Sequence, residues 1–501
     1  MGPEVFVGAG PSDTTGARSP RRVGVRPVRG RWPAVVSVLG VVLVIGVIAA
    51  LVPDPGAAPA PQSSDGIGVA PADAYSSSSF CSAGTGTAAS GTIELTNWTP
   101  HPVSGVMTTV APASGSTSAP TVRQAVTVPP LGRAALNPAA GLPAGSTASS
   151  LVFAGGGVVA DQVVAGPSGW STAPCASQTS PQWAFAGGST SAGNALSLSL
   201  FNPAATEAVV NVTFVADDKL ITPPQYQGLV VPAGQVLEEN VGDFVQGDTT
   251  IATLVTAQAG SVVSTEFQQW SSGATGGVSL RLGSPALSTT WRLAQTTTMP
   301  QSTVAVYLAN LGTMPVNATI SFGLSSGSVT PRQVVVPAIS VVAFSASGSP
   351  GLPQQTPYSV TVTSSAPIVV GRSVEAPPGS TPPVWGSSSA TVTVADRWLV
   401  PGPGVSGAPP VTGATGATAD SLAVANPGPS VAAVAVTPLG SSRSVAMFTV
   451  PPGQVVVLGP KQVGGPAALN VTATQPVNVE EDSGPTGAPG VVSSTGFPFV
   501  G

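Results

Sequence analysis

The sequence predicts an all-β protein of four tandem β-sandwich modules behind a single membrane-spanning helix. Three observations support this prediction: a recurring asparagine, a recurring Val-Pro dipeptide, and runs in which apolar and polar residues alternate. Alternation with a period of two indicates a strand with one buried face. The chain also contains 60 Gly and 53 Pro in 501 residues, and we interpret them as turns between many short strands.

The recurring motifs define a repeat with a period of about 105 residues. The asparagines lie 105, 108 and 116 residues apart, at Asn97, Asn202, Asn310 and Asn426. The proline of a Val-Pro dipeptide follows each asparagine by 25 to 32 residues, and the dipeptides begin at Val128, Val231, Val336 and Val450. A period kept in register at two points indicates four copies of one module. We expect seven or eight short strands in each copy, which is the size of an Ig-like two-sheet sandwich.

The N-terminal region predicts a membrane anchor. Residues 1–31 carry six arginines against two acidic residues, and residues 32–52 contain no charged residue. This apolar segment is long enough to cross a bilayer as a helix. The preceding arginines predict a cytoplasmic N-terminus and an extracellular remainder. The alternative is a cleaved signal peptide, although its apolar core usually spans only about 7–15 residues.

The predicted domain boundaries follow from these features. A disordered basic tail precedes the single-pass helix, and a Pro/Ala/Ser linker after it acts as an extended spacer. The four modules then occupy the rest of the chain. The ranges are 1–31 for the tail, 32–52 for the helix, 53–79 for the linker, and 80–182, 183–290, 291–397 and 398–501 for the modules.

Two sets of aromatic residues recur with the modules. One set lies near the predicted module boundaries: Phe80, Trp183, Trp291, Trp398 and Phe497. Five such residues for four modules indicate that each packs at a module junction, with exposed sugar-stacking rings as the alternative. The second set lies in Ser/Gly-rich surroundings: Trp170, Trp270 and Trp385. These three are the candidates for contact with a ligand, and packing of loops over the sandwich end is the alternative.

The two cysteines predict one disulfide. Cys81 and Cys175 lie on the exported side of the predicted anchor and near opposite ends of the first module. Oxidation is expected in that compartment, so we predict that they pair; two unpaired thiols are the alternative. Two cysteines and one histidine exclude a zinc cluster of the usual spacing.

Candidate catalytic and metal-binding residues are few. His101 is the sole histidine and lies between two prolines in a predicted surface loop. Acidic clusters occur at Asp217-Asp218, Glu238-Glu239 and Glu480-Glu481-Asp482, but none has the spacing of a calcium loop. Neither a phosphate loop nor a Gly-x-Ser-x-Gly motif is present. We therefore predict no catalytic residue, metal or cofactor, and the net charge of −5 argues against nucleic acid as a partner.

The repeated motifs resemble an uncharacterised actinobacterial family of membrane-anchored extracellular repeat proteins. The resemblance covers about residues 80–501. It rests on Asn202-Pro203, Val231–Gly234, Trp291–Ala294, Pro367–Val370 and Asn426-Pro427. It implies a cell-envelope location and no assigned activity. The charged pair that family members often carry changes between the copies, to Asp161-Gln162, Ser264-Thr265, Gly371-Arg372 and Glu480-Glu481. This drift argues against a shared catalytic pair.

We therefore expect a non-enzymatic, membrane-anchored extracellular protein that serves the cell envelope as a structural scaffold or binding stalk. The alternatives are an accessory subunit of an enzyme that makes an envelope glycan and, less favoured, a hydrolase with a site at a module junction. The expected partners are the membrane, through one helix, and an envelope glycan or envelope protein. The sequence leaves open whether the modules form a rod or a closed ring.

Overall fold

The prediction of an all-β fold is confirmed by a computed structural model. It describes residues 65–83, 85–86, 88–113, 119–167, 169–272, 275–296, 303–346, 349–353, 356–375, 385–402, 421–463, 467–483 and 492–499. The predicted tail (1–31), the predicted transmembrane helix (32–52) and the first part of the predicted linker lie outside these residues. Within them, no helix is long and apolar enough to span a bilayer.

The strands fall into four successive sets. The first comprises β1 (Ser77–Ala83), β2 (Ser90–Asn97), β3 (Val103–Val110), β4 (Thr121–Val128), β5 (Gly132–Leu136), β6 (Thr147–Phe153), β7 (Val158–Gly166) and β8 (Gly169–Pro174). The second comprises β9 (Gln182–Gly188), β10 (Ala195–Asn202), β11 (Ala208–Ala216), β12 (Lys219–Ile221), β13 (Leu229–Val231), β14 (Gln235–Asn240), β15 (Ile251–Ala259), β16 (Val263–Ser272) and β17 (Thr275–Leu282), with 3-10 turns at Pro224–Tyr226 and Val241–Asp243.

The third and fourth sets complete the chain. The third comprises β18 (Ser288–Thr296), β19 (Thr303–Asn310), β20 (Val316–Leu324), β21 (Arg332–Val336), β22 (Ser340–Ser345), β23 (Tyr358–Glu375) and β24 (Trp385–Ser389). The fourth comprises β25 (Ala395–Val400), β26 (Ser421–Ala425), β27 (Ala432–Pro438), β28 (Ala446–Val450), β29 (Val455–Leu458), a short helix α1 (Pro460–Val463), β30 (Leu469–Ser483), β31 (Val492–Thr495) and β32 (Phe497–Pro498).

The order of strand pairing is the same in all four sets. In the first set one sheet has the order β1-β6-β3-β4 and the other the order β5-β2-β7-β8. The second set repeats this order as β9-β15-β11-β12 and β14-β10-β16-β17. In the third set the single strand β23 joins both sheets, pairing with β18 and β20 through its first half and with β19 and β24 through its second. Strand β30 does the same in the fourth set, so every set is sandwich-like.

The alternating sequence produces strands that bury one face, whereas strands such as β7 and β9 are buried on both faces. Along β11, Val210, Val212 and Phe214 are buried, whereas Asn211 and Thr213 between them are half-buried. The valines and threonines that dominate such strands favour extended backbone because their β-branched side chains fit a pleated surface. The period of two seen in the sequence is therefore the period of burial.

The recurring asparagine and the recurring Val-Pro are two ends of one hydrogen-bonded joint. Each Asn Nδ2 donates to the carbonyl four residues later and to the carbonyl of the valine in Val-Pro. The respective distances are 2.7 and 3.3 Å for Asn97, 2.8 and 2.9 Å for Asn202, 2.8 and 3.2 Å for Asn310, and 2.7 and 2.8 Å for Asn426. Each Oδ1 accepts from the backbone N–H two residues later, at 2.9 to 3.0 Å. The joint ties two loops at one end of each set.

Replacing Asn310 by alanine is expected to destabilise the protein by about 3 kcal/mol, because it orphans several buried backbone groups at once. Asn310 is 1% exposed and also donates to the Pro337 carbonyl at 2.8 Å. Denaturant unfolding of the full chain measures the loss. Asn317→Ala is the matched control, since Asn317 is exposed on the other sheet of the same set. Equal stability of the two variants would contradict the structural role of the joint.

The four sets close on themselves. One edge strand of each set packs against the next in sequence, β8 against β17, β17 against β24, β24 against β31, and β31 against β8. The segment before β1 joins this packing: Val69 is fully buried and pairs with Phe499 at the other end of the chain. Residues 65–76 belong to the predicted linker; the structure packs 65–70 into the folded unit, whereas most of 71–76 is exposed.

Candidate functional site

The edge strands β8, β17, β24 and β31 surround a small central cavity. Its volume is about 60 Å³, and its lining includes residues 172–174, 280–284, 387–391 and 493–495 from the four sets. Asp65 also lines it and accepts hydrogen bonds from the Thr391 hydroxyl and from the backbone N–H of Val392 at 3.0 Å and Thr393 at 3.3 Å. Burial raises the pKa of Asp65 above its usual value, although these hydrogen bonds oppose the shift. Asp65 therefore anchors the N-terminal segment at the centre.

Three buried ion pairs lie around this centre. Arg281 contacts Glu266 at 2.5 Å within the second set, and its other terminal nitrogen donates to the Ala186 carbonyl at 2.6 Å. Arg372 of the third set pairs with Glu480 of the fourth. The remaining pair belongs to the first set and joins Arg133 to Glu94 at 2.7 Å. Because each partner is largely desolvated, removing one would leave a buried charge uncompensated.

A group of carboxylates lies between the first and fourth sets. Glu94, Asp161 and Glu481 line a cavity of about 20 Å³, which has room for about one water molecule. Asp161 is 4% exposed, and neither carboxylate oxygen has a hydrogen-bond partner among the described residues. Burial, together with Glu94, raises the pKa of Asp161 well above its usual value. Across the described part of the chain, no three acidic, histidine or cysteine side chains are grouped so as to hold a metal ion.

These carboxyls make stability depend on pH. Burial, reinforced by the nearby Glu480, raises the pKa of Asp482 to about 7. A carboxyl whose pKa is raised by folding holds its proton more tightly in the folded chain than in the unfolded chain. Its contribution to stability is therefore present at low pH and is lost as the pH rises through the folded pKa.

We expect the midpoint of thermal unfolding to be several degrees lower at pH 8 than at pH 5. The loss should accumulate between the usual carboxyl pKa and about 7, where Asp482 ionises. Asp482→Asn should flatten the profile, whereas Asp73→Asn, at an exposed residue, should leave it unchanged. A midpoint that rises between pH 5 and pH 8 would show that depressed rather than raised carboxyl pKa values dominate.

The three recurring tryptophans of the predicted junction set are fully buried. Each indole N–H donates to a carbonyl where the chain crosses between the two sheets of its own set: Trp183 to Val262 at 2.7 Å, Trp291 to Ile368 at 2.9 Å, and Trp398 to Val477 at 3.1 Å. Phe497 is also buried, in the same cluster as Trp183. These rings are inaccessible to a ligand, and the three tryptophans fix the crossing point inside the second, third and fourth sets.

Phe80 differs from the three tryptophans in position. The residue ten positions after each recurring asparagine pairs with a residue on the neighbouring strand. In the second, third and fourth sets that residue pairs in turn with the tryptophan. In the first set this register leads to Ser79, opposite Leu151, whereas Phe80 is one residue further along and half-buried. Successive residues on a strand point to opposite faces, so Phe80 does not share the orientation of the tryptophans. The Cys81–Cys175 disulfide, which confirms the predicted pairing, lies beside Ser79 in the core of the first set.

The candidate ligand-contact tryptophans occupy different environments. Trp170 and Trp270 are each 6% exposed, and Trp385 is half-buried. The rings of Trp270 and Trp385 stack across the boundary between the second and third sets, with centroids 5.5 Å apart. Gly277 permits this approach, because a Cβ there would lie 2.3 Å from the Trp385 Cβ. The structure therefore brings two of the three together, and it does so in packing between sets.

The remaining candidates lie apart from one another. His101 is exposed, and its carbonyl belongs to the Asn97 joint. Asp217 and Asp218 form the tip of the β11–β12 hairpin, with positive φ angles of 49° and 56°. Sequence reasoning missed the ion pairs that contain Arg281, Arg372 and Glu480. The available signal was a charged residue inside a run that otherwise alternates as a buried strand.

Comparison with known proteins identifies a family but no activity. The model of a family of unknown function, DUF5719, matches residues 162–419. No curated protein matches the chain. Among solved structures, the crystal structure of Thermotoga maritima 1070 is 15% identical; the match covers 21% of this chain and 92% of that one, with a TM-score of 0.19. A likeness at that TM-score carries no argument about function.

Proposed function

Since the chain belongs to DUF5719, a family of unknown function, we propose its role from its own geometry: a non-enzymatic, membrane-anchored scaffold on the extracellular side of the cell envelope. In this proposal residues 32–52 form the single transmembrane helix, and the four strand sets are Ig-like sandwich modules of about 105 residues outside the membrane. One observation carries the proposal: buried and part-buried polar and charged side chains join each strand set to the next.

Every boundary between neighbouring sets contains such a bond. The Thr265 hydroxyl donates to the Ser82 carbonyl at 2.6 Å between the first and second sets. Ser279 donates to the Ser387 carbonyl at 2.9 Å between the second and third. Arg372 and Glu480 join the third and fourth. A terminal nitrogen of Arg133 lies 3.4 Å from the Gly402 carbonyl, which joins the fourth set to the first.

These contacts support a scaffold that keeps one fixed arrangement. Separating two sets would strand buried polar groups without partners, and that is costly in a low-dielectric interior. Domains joined by small polar interfaces normally move relative to one another. Because the strand sets are bonded at all four boundaries, the protein would hold its surfaces at constant spacing, as a scaffold must.

Crosslinking in native membranes tests the proposal with the full chain. We expect to recover the protein in the membrane fraction with residues 1–31 retained. We expect it to be crosslinked to envelope components whose own activity does not depend on this chain. A shortened chain in the medium, beginning near residues 57–61, would contradict the anchor. Stoichiometric recovery of a membrane enzyme whose activity depends on this chain would replace the scaffold with an accessory subunit.

A further inference from the structure

The four boundaries between strand sets can be compared position by position, because the recurring asparagine sets a common register. The residue just before that asparagine pairs with Val159 in the first set, Val263 in the second and Val369 in the third. In the fourth set the same pairing falls on Asn478. All four side chains are at most 2% exposed. Three boundaries therefore bury a valine where the third–fourth boundary buries an amide.

The amide of Asn478 has no partner in the described part of the chain. Neither its nitrogen nor its oxygen forms a hydrogen bond, although the residue is only 1% exposed. A buried amide without partners is destabilising relative to valine. Asn478 lines a cavity of about 420 Å³ between the third and fourth sets, a volume typical of small-molecule sites.

A second position differs at the same boundary. The residue eleven positions after the recurring asparagine pairs with a residue on the neighbouring strand. That residue pairs in turn with Phe80, Ala184 and Leu399 in the first, second and fourth sets, and we call these paired residues a cross-strand row. In the third set the row reaches Arg292, which lines the same cavity as Asn478. One terminal nitrogen of Arg292 donates to the Val392 carbonyl at 2.9 Å, while its Nε is buried without a partner. Two polar residues thus replace apolar ones on opposite walls of one cavity.

The rest of the lining has a consistent chemistry. Hydroxyls stand on three neighbouring strands of the third set, from Thr290, Ser321, Ser359, Thr361 and Thr363. Hydroxyls both donate and accept hydrogen bonds, so they match a ligand that also carries hydroxyls. Among the described lining residues Arg292 is the one charged side chain, and none is acidic. Asp65, which is outside this lining, interacts with the Arg292 charge, and a ligand carboxylate would give the guanidinium an anionic partner within the cavity.

From these observations we propose that the cavity between the third and fourth strand sets binds a short acidic oligosaccharide, with Arg292 facing its carboxylate and Asn478 its hydroxyl groups. The alternative explanation is that Arg292 and Asn478 are packing defects, which would require two independent losses of apolar contact in the same cavity. A ligand explains both, because it supplies partners for the Asn478 amide and for the Arg292 Nε, which have none among the described residues. The inference is independent of whether the chain is membrane-anchored or acts as a scaffold.

Isothermal titration of the purified full chain with digalacturonic acid, and with the neutral disaccharide galactobiose, tests the proposal. We expect digalacturonic acid to bind at least tenfold more tightly than galactobiose. Asn478→Val and Arg292→Ala each introduce a residue that an equivalent position already holds, so both variants should fold. Each should weaken binding tenfold or more. Thr213→Ala, on the corresponding row of the second set, is the matched control and should leave binding unchanged.

Three results would overturn the proposal. The first is the absence of binding of either disaccharide to the unaltered chain at millimolar concentration. The second is binding that Asn478→Val and Arg292→Ala leave intact, which would locate the sugar elsewhere. The third is equal affinity for the acidic and neutral sugars, which would remove the role of Arg292. Thermal unfolding of each variant verifies that it is folded, and none of these readouts depends on the membrane anchor.

Discussion

Replacing Arg372 by leucine is expected to lower the free energy of unfolding by about 3–5 kcal/mol, because it leaves Glu480 charged and buried without its partner. The side chains of Arg372 and Glu480 are 1% and 5% exposed. Arg372 also donates to the Ser388 hydroxyl at 2.9 Å, and Glu480 accepts from the backbone N–H of Gln295 at 3.0 Å. Denaturant unfolding of the full chain measures the effect.

A double variant separates the ion pair from simple packing. Arg372→Leu combined with Glu480→Leu should recover much of the lost stability, since an apolar pair of similar volume removes the uncompensated charge. Arg443→Leu is the control for loss of an arginine, because Arg443 is exposed, and it should change stability by less than about 0.5 kcal/mol. A double variant as unstable as Arg372→Leu would show that the charge is not the cause.

Removing the disulfide is expected to destabilise the first strand set by about 4–5 kcal/mol in the chain-entropy account. Cys81 and Cys175 are 94 residues apart and connect the strand that opens this set to the residue that follows its last strand. Without the bond the unfolded ends separate freely, so the unfolded state gains entropy. The first set also lacks the buried tryptophan of the other three and has Ser79 in that position. Covalent closure therefore substitutes for a large core side chain.

Cys81→Ala combined with Cys175→Ala in the full chain tests this expectation. Protease should cut within residues 77–174 at lower denaturant concentration than in the unaltered protein, while the second to fourth sets stay resistant. Reduction of the unaltered chain should reproduce the shift, which controls for the alanine substitutions. Thiol labelling of the unfolded, unreduced chain should find no free thiol. Equal resistance of the first set with and without the bond would contradict the entropic role.

Much of the fold was readable from the sequence because its determinants are local and repeated. Alternation of apolar and polar residues predicts strands, since the pleat has a period of two. Repetition at two fixed points predicts four copies, and the structure reveals these points as one joint between Asn and Val-Pro. The pairing of Cys81 with Cys175 was also predictable, because only two cysteines are available.

The tertiary structure alone decided which residues face which neighbour. A shift of one residue turns a side chain to the other face of a sheet, and spacing alone could not distinguish Phe80 from Ser79 as the counterpart of the tryptophans. Arg372 and Glu480 are 108 residues apart in sequence, and only the closed packing of the sets brings them together. The same holds for Arg292 and Asn478. Each is an isolated polar residue in the sequence, and they share a cavity because β18 and β20 of the third set pack against β26, β29 and β30 of the fourth.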